Sequence, residues 1–94
     1  MKIAFKGTLP EGFGVINEDK PFALHEALGR LNEQGEPYLV RLALLDGSTV
    51  YGAVGPFLPH GPFSVFLWDD GGDTGVRQQV AVADIVSAVV ELFD

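Results

Sequence analysis

The stretch Tyr38–Val54, YLVRLALLDGSTVYGAV, most constrains how this chain can fold. Val40, Leu42 and Leu44 alternate and so share one face of an extended strand, while Leu39, Ala43 and Leu45 share the other with Arg41. Apolar residues on both faces predict a central strand between a helix and a barrel interior. Asp46-Gly47 marks a tight turn. Thr49–Val54 runs back as a second strand, with Gly52 placed for a bulge or sharp bend that lets a short sheet close on itself.

The flanking segments fit a layer around this hairpin. Met1–Gly7 alternates, with Ile3 and Phe5 on one face and Lys2, Ala4 and Lys6 on the other; this predicts a short edge strand whose lysines discourage further pairing. Gly7–Gly14 reads as a loop and Val15-Ile16 as a brief strand. Asn17–Gly35 reads as the one helix. Pro21 lies in its first turn, Glu18 and Asp19 at its positive end, and Gly35 at its stop, with an apolar stripe of Phe22, Leu24, Ala27, Leu28 and Leu31. Gly29, inside it, suggests close packing on the sheet. Gly55–Pro62 is a rigid loop, Phe63–Trp68 a strand, Asp69–Gly75 an acidic turn, and Val76–Val82 a strand with Val76, Val80 and Val82 inward. Ala83-Asp84 is a tight turn. Ile85–Phe93 has the length of a helix, but its Val and Ile content favours a strand.

Ninety-four residues make one domain, 1–94, with no linker or repeat. Twelve glycines and six prolines imply many short elements, as in a small mainly-β barrel or sandwich. The net charge of −7 opposes nucleic acid unless the six Lys and Arg cluster, and suits a partner protein with a basic surface. The absence of cysteine removes disulfide and thiolate chemistry. The N-terminal MKIAFKGTLPEG lacks the apolar core of a signal peptide and no run reaches transmembrane length, so the expectation is a soluble, cytoplasmic protein with no membrane contact.

The search for chemistry yields no catalytic set, and the expectation is no enzyme, no cofactor and no metal. Asp69, Asp70 and Asp73 crowd one loop, but the order of acids is not that of an EF-hand, and a solvated turn is the simpler reading. His25-Glu26 begins like a zinc-binding helix, yet the position for a second histidine is Gly29. His25 then reads as a helix-surface or interface residue and His60 as a lone loop histidine, with Asp84 its one candidate partner. Ser48, Thr49, Ser64 and Ser87 have no base at a nucleophile's spacing. Phe63 and Trp68 read as core. Phe13 and Phe57 sit in loops, where burial and an interface role are both open. The candidate partner-binding residues are Phe13, Phe57, Asp69, Asp70 and Asp73.

Leu42–Val54 resembles the first half of the Sm motif, with Gly47, Val50 and Gly52 on the motif positions, and the preceding helix and the later strands Phe63–Asp69 and Val80–Val86 follow the same order. The resemblance, over roughly 22–90, implies an Sm-like or SH3-like β-barrel of about five strands behind one N-terminal helix, here with an extra N-terminal strand. Two Sm signatures are missing: Pro59-His60-Gly61-Pro62 stands where the RNA-pocket pair falls, and Val82-Ala83-Asp84-Ile85 where a basic-Gly pair falls. Leu45-Asp46-Gly47, Asp69–Gly72 and Val82–Val86 are similar to the Rho-binding antiterminator group, small acidic Sm-like proteins whose resemblance implies docking on the nucleic-acid-binding surface of a partner protein. The function expected is therefore a non-catalytic acidic adaptor or regulator. The alternatives are an Sm-like RNA-binding oligomer, with Arg41, Arg77 and Lys20 on one face, and an uncharacterised enzyme. Self-association is expected through Ile85–Phe93 if it forms an apolar edge strand.

Overall fold

The Asp46-Gly47 turn forms as its residues dictate. Gly47 adopts φ +86°, a region that glycine enters without steric cost. Asp46 Oδ1 accepts the Ser48 amide at 2.8 Å, and the Leu44 amide donates to the Ser48 carbonyl at 2.9 Å. The Ser48 hydroxyl and amide together hold the Asp46 carboxyl below its ordinary pKa. In this computed structural model, which describes residues 1–93, the turn joins β2 (Tyr38–Leu44) to β3 (Thr49–Val54), with Arg41 opposite Tyr51.

The remaining elements are β1 (Lys2–Lys6), α1 (Ala23–Glu33), β4 (Phe63–Asp69), β5 (Gly72–Val80), a short 3-10 helix (Val82–Asp84) and β6 (Ile85–Leu92). The strands form one six-stranded sheet in the order β1-β6-β2-β3-β4-β5, antiparallel except for β1 beside β6. Mainly-β architecture with one helix is as expected; the barrel is not. The sheet stays open, because β1 takes the free edge of β6 and the ladder ends at β5. The same arrangement corrects the expected self-association edge: β6 lies between β1 and β2, with both its edges paired.

Helix α1 is shorter than its sequence pattern. Asn17–Lys20 closes a turn of its own, with the Lys20 amide donating to the Asn17 carbonyl at 3.2 Å. Phe22 follows Pro21 at φ +61°, ψ +24°, a left-handed position that ends any helical run to its N-terminal side. Glu18 consequently serves β1 and not the helix dipole, its carboxylate accepting the Ile3 amide at 3.2 Å. Val15-Ile16 is not a strand. At the other end Gly35, at φ +68°, donates to the Asn32 carbonyl and Glu36 to that of Leu31, the paired bonds of a Schellman stop.

Leu24, Ala27, Leu28 and Leu31 pack one face of α1 on Val40, Leu42, Val65 and Val90, and Ile3 and Phe13 complete that core from the N-terminal arm. Gly52 is where β3 changes partner, facing Val40 of β2 and Leu67 of β4. A Cβ there would stand 2.0 Å from the Phe66 carbonyl oxygen, so its role is close strand approach and not a bulge. The expected inward set of β5 is corrected at Val76 and Val82. Thr74, Gly75 and Val76 stand opposite Leu67 alone, which breaks the alternation, leaves Val76 55% exposed and returns only Val80 to the core. Val82 sits half-buried in the 3-10 helix. Among the described residues no helix is long and apolar enough to cross a membrane.

Candidate functional site

Two loops return to α1, and the second leaves a cleft. The loop between β3 and β4, Gly55–Pro62, folds over the start of the helix, where the Gly61 amide closes a turn on the Leu58 carbonyl at 3.1 Å. His25 draws it there. Its imidazole is 4% exposed, and Nε2 lies 2.6 Å from the Gly61 carbonyl oxygen. A carbonyl only accepts, so Nε2 is the donor of this bond. The ring's Nδ1 is shut off from solvent and has no hydrogen-bond partner.

Aromatic rings surround this histidine. The His25 ring lies tilted over Phe63 at 4.4 Å and meets the edges of Phe22 at 5.4 Å and Phe57 at 5.7 Å. The exposed His60 stacks on Phe22 at 4.1 Å with 24° between the rings, and Phe57 meets Phe63 edge to face at 5.1 Å. Between these rings and the helix lies a cleft of about 710 Å³, in the range of ligand pockets. Phe22, His25, Glu26, Gly29 and Asn32 supply its helix wall at the three- and four-residue spacing of one helix face. Gly29 therefore faces open space and not the sheet; a Cβ there meets nothing within 4 Å. Beyond Asn32, Tyr38 donates its hydroxyl to the Asn32 side chain at 2.9 Å, and burial pushes that phenol up to about 12, the Asn32 bond offsetting part of the rise.

The structure places the five residues that the sequence proposed in three separate parts of the molecule. Phe57 is half-buried and lines the cleft. Phe13 is corrected as an exposed anchor: it is 5% exposed, edge-on to Phe5 at 5.4 Å and under the Arg30 guanidinium. Asp69, Asp70 and Asp73 sit exposed at the β4–β5 hairpin and none lines the cleft. The Asp69 and Asp73 carboxylates are engaged in their own turns, each accepting an amide at 2.8 Å, from Gly71 and Gly75. Among the described residues no group of three His, Cys, Asp or Glu is placed to hold a metal ion, and no bond or ion pair joins His60 to Asp84. Phe22, His25, Gly29 and His60 were missed as a unit. Their one sequence signal was a second helical stripe, 22-25-29, opposite the apolar one.

The sheet face away from α1 has a different character. The ladder pairs put Lys2, Lys6, Arg41 and Arg77 on it, four of the six cations, together with Tyr51, Phe66 and Trp68. The Arg41 guanidinium lies 4.2 Å over the Tyr51 ring and 3.5 Å from the Glu91 carboxylate, which also accepts the Tyr51 hydroxyl at 3.2 Å. Burial, and then the Glu91 charge, raise the Tyr51 phenol above its ordinary pKa. Lys20 is not part of this face; it lies at the lip of the cleft. Comparison of the chain with protein-family models, with curated proteins and with solved structures finds no match.

Proposed function

We propose that this chain is a small acidic interaction module, non-catalytic, of Sm-like architecture opened by its extra strand, which docks on a basic surface of a partner protein. The observation that supports the docking reading is the cleft. Phe22 and Phe57 stay partly exposed around open space, and rings held in this way make interface anchors. The charge of −7 favours a basic partner and speeds encounter with it. The helix followed by five consecutive strands supports the architecture. The test is affinity capture of the tagged chain from its own cell lysate, with and without nuclease and over a salt series. A basic protein that stays bound after nuclease and is released as salt rises is the expected result; binding indifferent to salt removes the electrostatic part.

A second reading, contact with single-stranded nucleic acid, rests on the open sheet face. Cations beside partly exposed aromatic rings are what base stacking and phosphate contact require. Arg41 and Arg77 share that face and Lys20 does not, so the arrangement supports this reading in part. Capture that disappears on nuclease treatment would favour it over the first.

A further inference from the structure

We infer that the open sheet face holds a short single strand of nucleic acid laid across its strands, with bases on the rings of β3 and β4 and phosphates on the cations to either side. The inference rests on the second reading above and gives it a site. It starts from where the charge lies. The ladder puts four cations on this face, Lys2, Lys6, Arg41 and Arg77, against two carboxylates, Glu91 and Asp73, so these residues sum to +2 in a chain of −7. Two such faces repel each other, which removes a second copy packed sheet to sheet, and the complementary occupant is an anion.

The rings make that anion a nucleic acid. Arg41 stands opposite Tyr51 and Arg77 opposite Phe66, while Trp68, two residues on from Phe66, shares its face. The partly exposed rings of β3 and β4 are therefore bracketed by an arginine on β2 and another on β5. The Arg41 guanidinium, 4.2 Å over the Tyr51 ring, widens the platform, since bases stack on a guanidinium plane as they do on a ring. Gly55, just past β3, lets the Phe66 ring lie against the backbone; a Cβ there would come within 2.9 Å of it. Glu91 meets Arg41 at Nε, 3.5 Å away, which leaves the Nη groups for a phosphate. Arg77, Lys2 and Lys6 have no ion-pair partner among the described residues. An acidic peptide would use these cations and ignore the rings, and a duplex hides the faces of its bases. From β1 to β5 the face spans about 24 Å, room for about four nucleotides.

Trp68 is the chain's one tryptophan, so its fluorescence reads stacking directly. The chain is titrated at low salt with a short oligothymidylate, with an A·T duplex of the same length and with polyglutamate. Saturable quenching by oligothymidylate is expected, with about tenfold weaker binding of the duplex and no quenching by polyglutamate. Arg41→Met and Arg77→Met should each weaken binding about fivefold and lower its logarithmic salt slope by about 0.7. Arg77 is exposed and unpaired, so its replacement tests the site without testing the fold. Phe66→Leu should weaken binding about tenfold and leave the salt slope unchanged. Lys20→Met removes the same charge at the lip of the cleft, off this face, and should change little. Oligothymidylate that binds the three face variants as it binds the native chain, or that loses as much with Lys20→Met, overturns the inference and leaves the nucleic-acid reading in place. Equal binding of the duplex also overturns it. Polyglutamate bound as tightly overturns it in favour of an acidic protein segment. If single strands do not bind even at low salt, the inference and the second reading both fail.

Discussion

Helix α1 holds two returning loops, and it holds them differently. Arg30 secures the N-terminal arm: its Nη1 donates to the Phe13 carbonyl at 2.8 Å and the Val15 carbonyl at 3.2 Å, and its guanidinium covers the Phe13 ring. Gln34 adds a bond to the Glu11 carbonyl at 3.1 Å, and Phe13 itself is core. On the opposite side His25 secures the β3–β4 loop with one side-chain bond, next to a left-handed phenylalanine, an unpartnered nitrogen and a cleft. The arm is fixed several times over by charge-assisted bonds and burial. The other loop is fixed by one side-chain hydrogen bond and by the ring contacts of Phe57 and His60, with polar capacity left over. Redundant fixing on one side of a helix and sparer fixing on the other agree with placing the proposed docking site on the sparer side.

The contrast can be broken most sharply at the two loop phenylalanines. Phe13→Ala should destabilise the chain by about 3–4 kcal/mol in denaturant unfolding, because it opens a cavity in the core. Phe57→Ala, at a half-exposed ring, should cost about 1–2 kcal/mol, and equal costs for the two would erase the difference between the sides. The staples come next. Arg30→Met should cost about 2 kcal/mol, since it strips two carbonyls of a charged donor, and should speed hydrogen exchange near residues 13–16. Its ion pair with Glu26 is half in solvent and contributes little of that. His25→Phe should change stability by less than about 1 kcal/mol, because the lost Gly61 bond is offset by removal of the unsatisfied nitrogen; a loss as large as that of Arg30→Met would show the loop to be as firmly held as the arm.

Gly29→Ala is expected to stabilise α1 by about 1 kcal/mol, through helix propensity alone, and a loss instead would mean that its Cβ does meet the loop. The alkaline limb gives the smallest effect and checks the cleft's far wall. Tyr38 is raised in the folded state to about 12, so the folded chain keeps the proton that the unfolded chain gives up near its ordinary value. The stability from Tyr38 is thus complete below about pH 10 and lost as pH rises towards 12. Tyr38→Phe should flatten that part of a stability–pH curve.

The contrast also explains what the sequence could and could not disclose. The hairpin at Asp46-Gly47, the alternating β1 and the stripe Leu24-Ala27-Leu28-Leu31 were legible, because each is set by residues a few positions apart. Phe22 was read into the apolar stripe, but it stands on the 22-25-29 side, and its left-handed backbone ends the helix at that point and leaves its ring at the cleft. His25 and His60 looked solitary because their partners lie more than thirty positions away or on another element. Phe13 showed loop neighbours on both sides and no periodicity, so nothing local revealed that the arm folds back to bury it. The open sheet was hidden for the same reason: whether the edge of β6 is free depends on where the first strand lands.

That landing has a consequence for how the molecule comes into being. Lys2 stands opposite Ser87, so the first strand in chain order can be hydrogen-bonded in this ladder only after the last has been made. Contacts of such sequence separation are slow to form and raise the contact order of the whole domain. During synthesis, Ile3 and Phe5 leave the ribosome early and wait, unpaired, through the making of every other element. The lysines that flank them act as gatekeepers over that interval, keeping an apolar strand soluble until its neighbour arrives.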